Sequence, residues 1–264
     1  MFETKGKGII TICILLSICS VLCINATAAS SLHWYCKRTN DHTQPGLDSD
    51  MQIINQLNGF YLDKQHSDDS ADKVVYLTFD AGYENGNVEK ILDVLKREQV
   101  SGAFFILGNL IQRNPDLVSR MANEGHLVCN HTYHHKDITK LTEQDLFEEI
   151  SSLEQAYQNL TGKQMSKYFR PPEGVFDAKS LKYLSEQGYK TIFWSFAYAD
   201  WDNHKQMNPD QAKKKILDHL HNGEILLLHP TSQTNAQILE SVIKEIKQQG
   251  YRFGSLNELE GSDA

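Results

Sequence analysis

Cysteine is scarce in this chain. Three of its five cysteines fall within the first 23 residues, which leaves only Cys36 and Cys129 beyond them. Two cysteines cannot make a disulfide framework, so the core must come from apolar packing; both are expected as free thiols, with a Cys36–Cys129 bridge as the lesser reading. Positive charge is also in deficit. The 264 residues carry 26 Lys and Arg against 34 Asp and Glu, a formal net charge of −8. That balance argues against a polyanionic partner, so no nucleic acid is expected. There is no internal repeat and no low-complexity tract. The apolar run from Ile9 to Ile24 is shorter than the ~20 residues of a membrane span. It follows Lys5 and Lys7 and precedes Ala26-Thr27-Ala28, the basic, apolar and small-residue order of a secretory signal peptide cleaved near Ala28. The competing reading is an uncleaved segment that holds the chain at the membrane. Cys13, Cys19 and Cys23 each follow a large residue, which argues against a lipoprotein site. Cleavage would remove Glu3, Lys5 and Lys7 and take the formal charge from −8 to −9. The roughly 236 residues left suffice for one substantial core.

Residues 29–72 are polar and weakly periodic, with Trp34, Tyr35, Ile53, Ile54 and Leu57 as packing candidates. They read as an N-terminal extension wrapped on a domain that spans 73–258. From Lys73 onward, strand-like and helix-like patterns alternate. Val74 to Phe79 is β-rich, 86–98 has helical spacing, and Gly102 to Leu107 is strand-like again. Helices are expected at 115–124, 142–160, 209–221 and 234–249. Strands are expected at Leu127 to Cys129, Lys190 to Trp194, Glu224 to Leu228 and Tyr251 to Phe253. Alternation of this kind implies parallel βα units, and most of the chemistry-bearing motifs stand at strand C-termini, where a βα barrel places its site.

Five motifs carry that chemistry in order: TFDAG at 78–82, HTYHH at 131–135, RPPEG at 170–174, DW at 200–201 and LLLH at 226–229. Asp80 ends a strand before a glycine turn, which suits a general base, although a helix cap would look the same. Tyr83 lies in the loop Gly82 to Gly86, rich in hydrogen-bonding groups. His131 and His135 have the spacing that lets two imidazoles reach one metal ion, with His134 as a competitor. Arg170 is fixed by Pro171 and Pro172 and can pair with a carboxylate, for which Asp80 is the candidate. Trp201 can wall a pocket or stack on a sugar ring. His229 can act as a general acid near neutral pH, and pairing with Asp200 would raise its pKa.

Taken together the motifs resemble the polysaccharide deacetylase family, carbohydrate esterase family 4, also called the NodB-homology domain, over roughly residues 73–255. TFDAGYENG, RPPEGVF and FAYADW look like the N-acetylmuramic acid de-N-acetylases of endospore-forming bacteria, which make the muramic δ-lactam of spore cortex. The resemblance implies an α/β fold, a distorted (β/α) barrel with an N-terminal extension. It implies Asp80 as base held by Arg170, and His229 as acid tuned by Asp200. It also implies His131 and His135 as metal ligands, and the Glu173 backbone N–H as an oxyanion donor. Tyr83, Glu173 and Trp201 would contact substrate. One departure is Ala81, where the family usually has an aspartate as third metal ligand. A weakly held divalent metal, zinc by preference, is therefore expected. The expected activity is removal of N-acetyl groups from peptidoglycan amino sugars, by a monomer that is secreted or sits at the cell wall or membrane surface. The alternatives are a catalytically impaired carbohydrate-binding relative and a deacetylase of chitin oligomers or acetylxylan.

Overall fold

The computed structural model describes residues 31–259, so the expected signal peptide at 1–28 lies outside the described residues. The N-terminal stretch forms β1 (Leu32–His33), α1 (Ile53–Gln56) and β2 (Gly59–Phe60). The long strand β3 (Lys73–Ala81) leads into α2 (Val88–Glu98), β4 (Ala103–Ile106), α3 (Gly108–Arg113), α4 (Pro115–Asn123) and β5 (Leu127–Asn130). Next come α5 (Glu143–Thr161), β6 (Ser166–Phe169), β7 (Val175–Phe176), α6 (Ala178–Glu186) and β8 (Lys190–Ile192). The chain closes with α7 (Pro209–Asp218), β9 (Glu224–Leu228), α8 (Gln233–Gln248) and β10 (Tyr251–Phe253). Local chemistry sets the helix ends. Thr142 and Asp145 form a capping box on α5, and Gly162 ends it in the left-handed conformation. Pro115 and Pro209 open α4 and α7, where a missing N–H costs nothing.

The main sheet is parallel throughout. β3 pairs with β9 along one side, and with β10 then β4 along the other. The sheet continues through β5, β6 and β8 to β2. It then curls back on itself: Phe196 bridges Leu226 of β9 and Leu62 bridges Glu224. The expected distorted α/β barrel is what the chain forms. Alternation along β3 separates two layers. Val75, Leu77, Phe79 and Ala81 pack outward in one cluster with Ile91 and Leu95 of α2 and Leu239 and Ile243 of α8. Val74 and Tyr76 pack with Phe105, Tyr168, Ile192 and Ile225 on the barrel interior. Thr78 and Asp80 share that inner face, so the interior becomes polar toward the C-terminal mouth.

The N-terminal stretch does more than wrap the domain. β2 is hydrogen-bonded beside β8, filling a seam of the barrel wall. Trp34, Ile54, Tyr61 and Leu62 are buried in one cluster with Phe176, Leu181 and Phe193. Cys36 and Cys129 are free thiols.

At the floor of the seam Glu224 is fully buried. One oxygen accepts the His221 backbone N–H at 3.1 Å, and the other has no partner. Burial pushes this carboxyl well above its ordinary value of 4.5. Its folded pKa exceeds its unfolded one, so its contribution is fully favourable only below about pH 4.5 and is lost as pH rises toward the folded value. Glu224→Gln removes that loss. Melting curves should show the variant gaining on wild type as pH rises from 4 to 8; a constant difference would mean that the carboxyl does not titrate with folding.

Candidate active site

Parallel strands point one way, so their C-termini deliver side chains to one mouth. Asp80 is the penultimate residue of β3, and His131, Arg170 and His229 each directly follow β5, β6 and β9. Arg170 is fully buried, and four acceptors surround its guanidinium. Its Nη1 donates to Asp80 Oδ1 at 2.7 Å and its Nη2 to Thr78 Oγ1 at 3.0 Å. Its Nε donates to the Ile192 carbonyl at 3.0 Å, and the guanidinium lies 4.1 Å over the Phe105 ring. Burial alone would raise the Asp80 carboxyl, but the charge and hydrogen bond of Arg170, with His229 behind them, outweigh it and hold it below its ordinary value of 3.8.

The HTYHH segment divides its histidines. His131 is buried, with Nδ1 2.7 Å from the Arg170 carbonyl. A carbonyl can only accept, so Nδ1 carries the proton and the Nε2 lone pair is left toward Asp80 Oδ2, 3.7 Å away. Burial lowers the His131 pKa to about 4, which keeps it neutral. His135 stands edge-on to it, with ring centroids 5.1 Å apart. His134 turns away to Glu149, its Nδ1 2.9 Å from Oε1. Thr132, His135 and Glu173 adopt φ of 66°, 60° and 57°. Such left-handed residues cost of order 1–3 kcal/mol each and gather where geometry is imposed for function.

Asp200 lies in the irregular segment between β8 and α7 rather than at a strand end, and it is buried. Its Oδ1 is 2.7 Å from His229 Nδ1, and its Oδ2 accepts the His229 backbone N–H at 2.8 Å. Asn235 Nδ2 donates to the same Oδ2 at 2.6 Å and to the His229 carbonyl at 3.1 Å. Gln206 ties the loop down, donating to the Asp200 carbonyl at 2.9 Å and accepting from Ser232 Oγ at 2.6 Å. Burial would lower the His229 pKa, but the Asp200 charge and hydrogen bond, with Asp80 behind them, raise it above 6.5.

Asp80, His131, His135 and His229 line one cavity of about 670 Å³. Tyr83, Glu173, Trp194 and Trp201 complete much of its wall, joined by Trp34 from the N-terminal stretch. Trp201 is 59 % exposed and stands 5.9 Å from the His229 ring. Tyr83 is 43 % exposed, its hydroxyl accepting from Asn203 at 2.7 Å. The cavity thus holds a carboxylate whose ionised form is favoured and an imidazole whose protonated form is favoured, a base and an acid with pKa values pushed apart.

The expected divalent metal meets an incomplete donor set. The two imidazoles suit zinc, but among the described residues no group of three or more His, Cys, Asp or Glu is arranged as a metal site. Ala81 is fully buried in the apolar layer against the helices. The residues therefore fit a cation that draws most of its ligands from solvent or substrate.

All nine side chains singled out from sequence fall in or against this cavity: Asp80, Tyr83, His131, His135, Arg170, Glu173, Asp200, Trp201 and His229. Sequence reasoning passed over Trp34, Trp194 and Asn235. Asn235 had a signal in the polar run Thr231 to Asn235 directly after the strand histidine. Trp34 had none, since it lies 46 residues before Asp80.

Residues 67–192 match the family model described as polysaccharide deacetylase. The chain is 40% identical over 233 residues to the peptidoglycan-N-acetylmuramic acid deacetylase PdaA of Bacillus subtilis, spanning 86% of this chain and 85% of that one. It is 34% identical over 186 residues to a peptidoglycan-N-acetylglucosamine deacetylase of Bacillus cereus, spanning 69% and 66%. The solved structure of Bacillus subtilis PdaA, a family 4 carbohydrate esterase, matches with a TM-score of 0.82 at 39% identity, over 87% of this chain and 96% of that one.

The opposed shifts fix a pH profile. Hydrolysis that needs Asp80 ionised and His229 protonated loses kcat/KM on the acid side below pH 3.8, and on the alkaline side only above 6.5. A profile of kcat/KM measured from pH 3 to 9 should show this widened plateau. An alkaline limb at or below 6.5 would contradict the pairing of His229 with Asp200.

Proposed function

We propose that this chain, which belongs to the polysaccharide deacetylase family (carbohydrate esterase family 4) and is a peptidoglycan N-deacetylase, acts on N-acetylmuramic acid and serves muramic δ-lactam formation in spore cortex. The observation that carries the reading is the placement in one cavity of Asp80, held by Arg170, and His229, held by Asp200. The choice of muramic acid rests on the TFDAGYENG, RPPEGVF and FAYADW stretches and on the likeness to PdaA over most of both chains.

In the cavity Asp80 takes a proton from a water molecule as its oxygen bonds to the acetyl carbon. Arg170 keeps Asp80 ionised and oriented and does not itself move a proton, since a guanidinium stays charged. The Glu173 backbone N–H, in a left-handed turn at the cavity wall, is the donor this reading assigns to the developing oxyanion. His229 gives its Nε2 proton to the amide nitrogen as the C–N bond breaks. Its Nδ1–H stays with Asp200, which compensates the ring's charge. Acetate and a free amino sugar leave. A divalent cation held by His131 and His135 would polarise the acetyl carbonyl when bound. Trp201 and Tyr83 offer exposed rings to the glycan.

The signal-peptide pattern supports an extracytoplasmic site of action, at the cell wall or membrane surface, by a monomer. No helix among the described residues is long and apolar enough to cross a membrane. Ala81 favours one rival, a relative impaired in catalysis. Acetate release from peptidoglycan, chitin oligomers and acetylxylan separates the readings, with mass spectrometry placing any free amine on muramic acid or glucosamine. Free amine on muramic acid is expected. Free amine confined to glucosamine would remove the muramic reading, and no release from any substrate would favour the impaired relative.

Ala81→Asp tests the donor set. A carboxylate at this position either turns to the ion or stays buried in the apolar layer, so the variant should be less stable without metal. With zinc its affinity should rise roughly 10–100-fold over wild type, by analogy with the effect of single ligand-shell groups. Calorimetric titration and melting with and without zinc read both. Equal affinity in wild type, Ala81→Asp and His131→Ala would mean that the two imidazoles hold no metal.

A further inference from the structure

We infer that Trp34 is a positioning residue for the deacetylation, clamping the Glu173–Gly174 turn from the N-terminal stretch. The inference rests on the proposed role of the Glu173 N–H and extends it to a segment outside the residues matched by the family model. β1 pairs antiparallel with β7, Leu32 opposite Phe176 and His33 opposite Val175. The ladder runs on into Trp34, whose backbone N–H donates to the Gly174 carbonyl at 2.9 Å. Its indole Nε1–H donates to the Trp194 carbonyl at 3.0 Å. The ring is held by Phe193 at 5.1 Å and Tyr61 at 5.3 Å between centroids, so the clamp is itself rigid.

What it clamps is two consecutive left-handed residues, Glu173 at φ 57° and Gly174 at φ 68°. A glutamate does not hold that conformation unaided. A Cβ on Gly174 would lie 3.0 Å from Trp34 Cβ and 2.9 Å from the Trp194 ring, so the turn is wedged between the two tryptophans. Trp34 also lines the cavity alongside Glu173 and Trp194. Truncation at Trp34 keeps the backbone bond to Gly174 but removes the ring that anchors this strand to Trp194, Phe193 and Tyr61, so strand and turn can part and the turn can relax toward ordinary φ, which swings the Glu173 N–H away from the reacting carbonyl. Such displacement weakens a contact made in the transition state, so the loss belongs in kcat.

The test uses the full chain as wild type, Trp34→Phe and Trp34→Ala, with acetate release from peptidoglycan and hydrogen exchange at the Trp34 and Gly174 amides, which donate to the Gly174 and Pro171 carbonyls. Trp34→Ala should lower kcat roughly 10–100-fold, the scale of a misplaced contact, with KM within about threefold. Exchange at the two amides should quicken, while amides of β3 and β4 stay protected. Trp34→Phe keeps the ring packing, loses the indole bond and should fall between. Unchanged exchange, unchanged kcat, or a loss confined to KM would each overturn the clamp. Should Trp34→Ala not fold, Trp34→Phe decides: slower kcat at constant KM supports the clamp, and wild-type kcat overturns it. Wild type that releases no acetate would instead overturn the functional reading, and the exchange data would still report on the turn.

Discussion

The buried ion pair between Arg170 and Asp80 constrains this molecule more than any other contact. A guanidinium with no exposed surface is tolerable only if its charge is matched and its donors are filled. Asp80 matches the charge, and Asp80 Oδ1, Thr78 Oγ1 and the Ile192 and Phe193 carbonyls accept four of its N–H bonds. Those partners come from β3, the end of β8 and the residue after it, while Arg170 follows β6. The pair joins β3 to the ends of β6 and β8, so the ionisation of Asp80 depends on the curled parallel sheet that brings those strands together. The Arg170 carbonyl reaches the other way and fixes the His131 tautomer. One residue thus sets the charge of the base and the orientation of a candidate metal ligand.

The second half of the cavity repeats the logic with opposite sign. Asp200 is buried beside His229 and raises its pKa, with Asn235 and Gln206 holding the loop that carries it. Both units use a buried partner to hold a more accessible group in its charged state. The low dielectric that makes these charges costly also makes each partner effective.

Much of this was legible in the chain. β3, β9 and α8 follow from apolar periodicity, and the motif residues at strand ends follow from parallel topology. Two kinds of feature were not legible. β6 and α6 went unread, since Ser166 to Phe169 mixes polar and aromatic residues and the helix owes its start to the Asp177–Ser180 cap. Asp200 was legible as a residue, through its DW motif, but not by its place in the fold, since it sits eight residues beyond the end of β8 where no periodicity marks it. The contribution of the N-terminal stretch was hidden for another reason. β2 is two residues long and Trp34 is isolated, so their positions depend on β8 and β7, far along the sequence.

The central claim is that Asp80, kept ionised by Arg170, accepts the proton of the attacking water. Asp80→Asn keeps the shape and a hydrogen-bond acceptor for Arg170 while removing the basic oxygen. Acetate release from peptidoglycan, measured well below the variant's melting temperature, should fall by roughly 100-fold or more, the scale of losing a general base. Release within a few-fold of wild type from a folded Asp80→Asn protein would contradict the account.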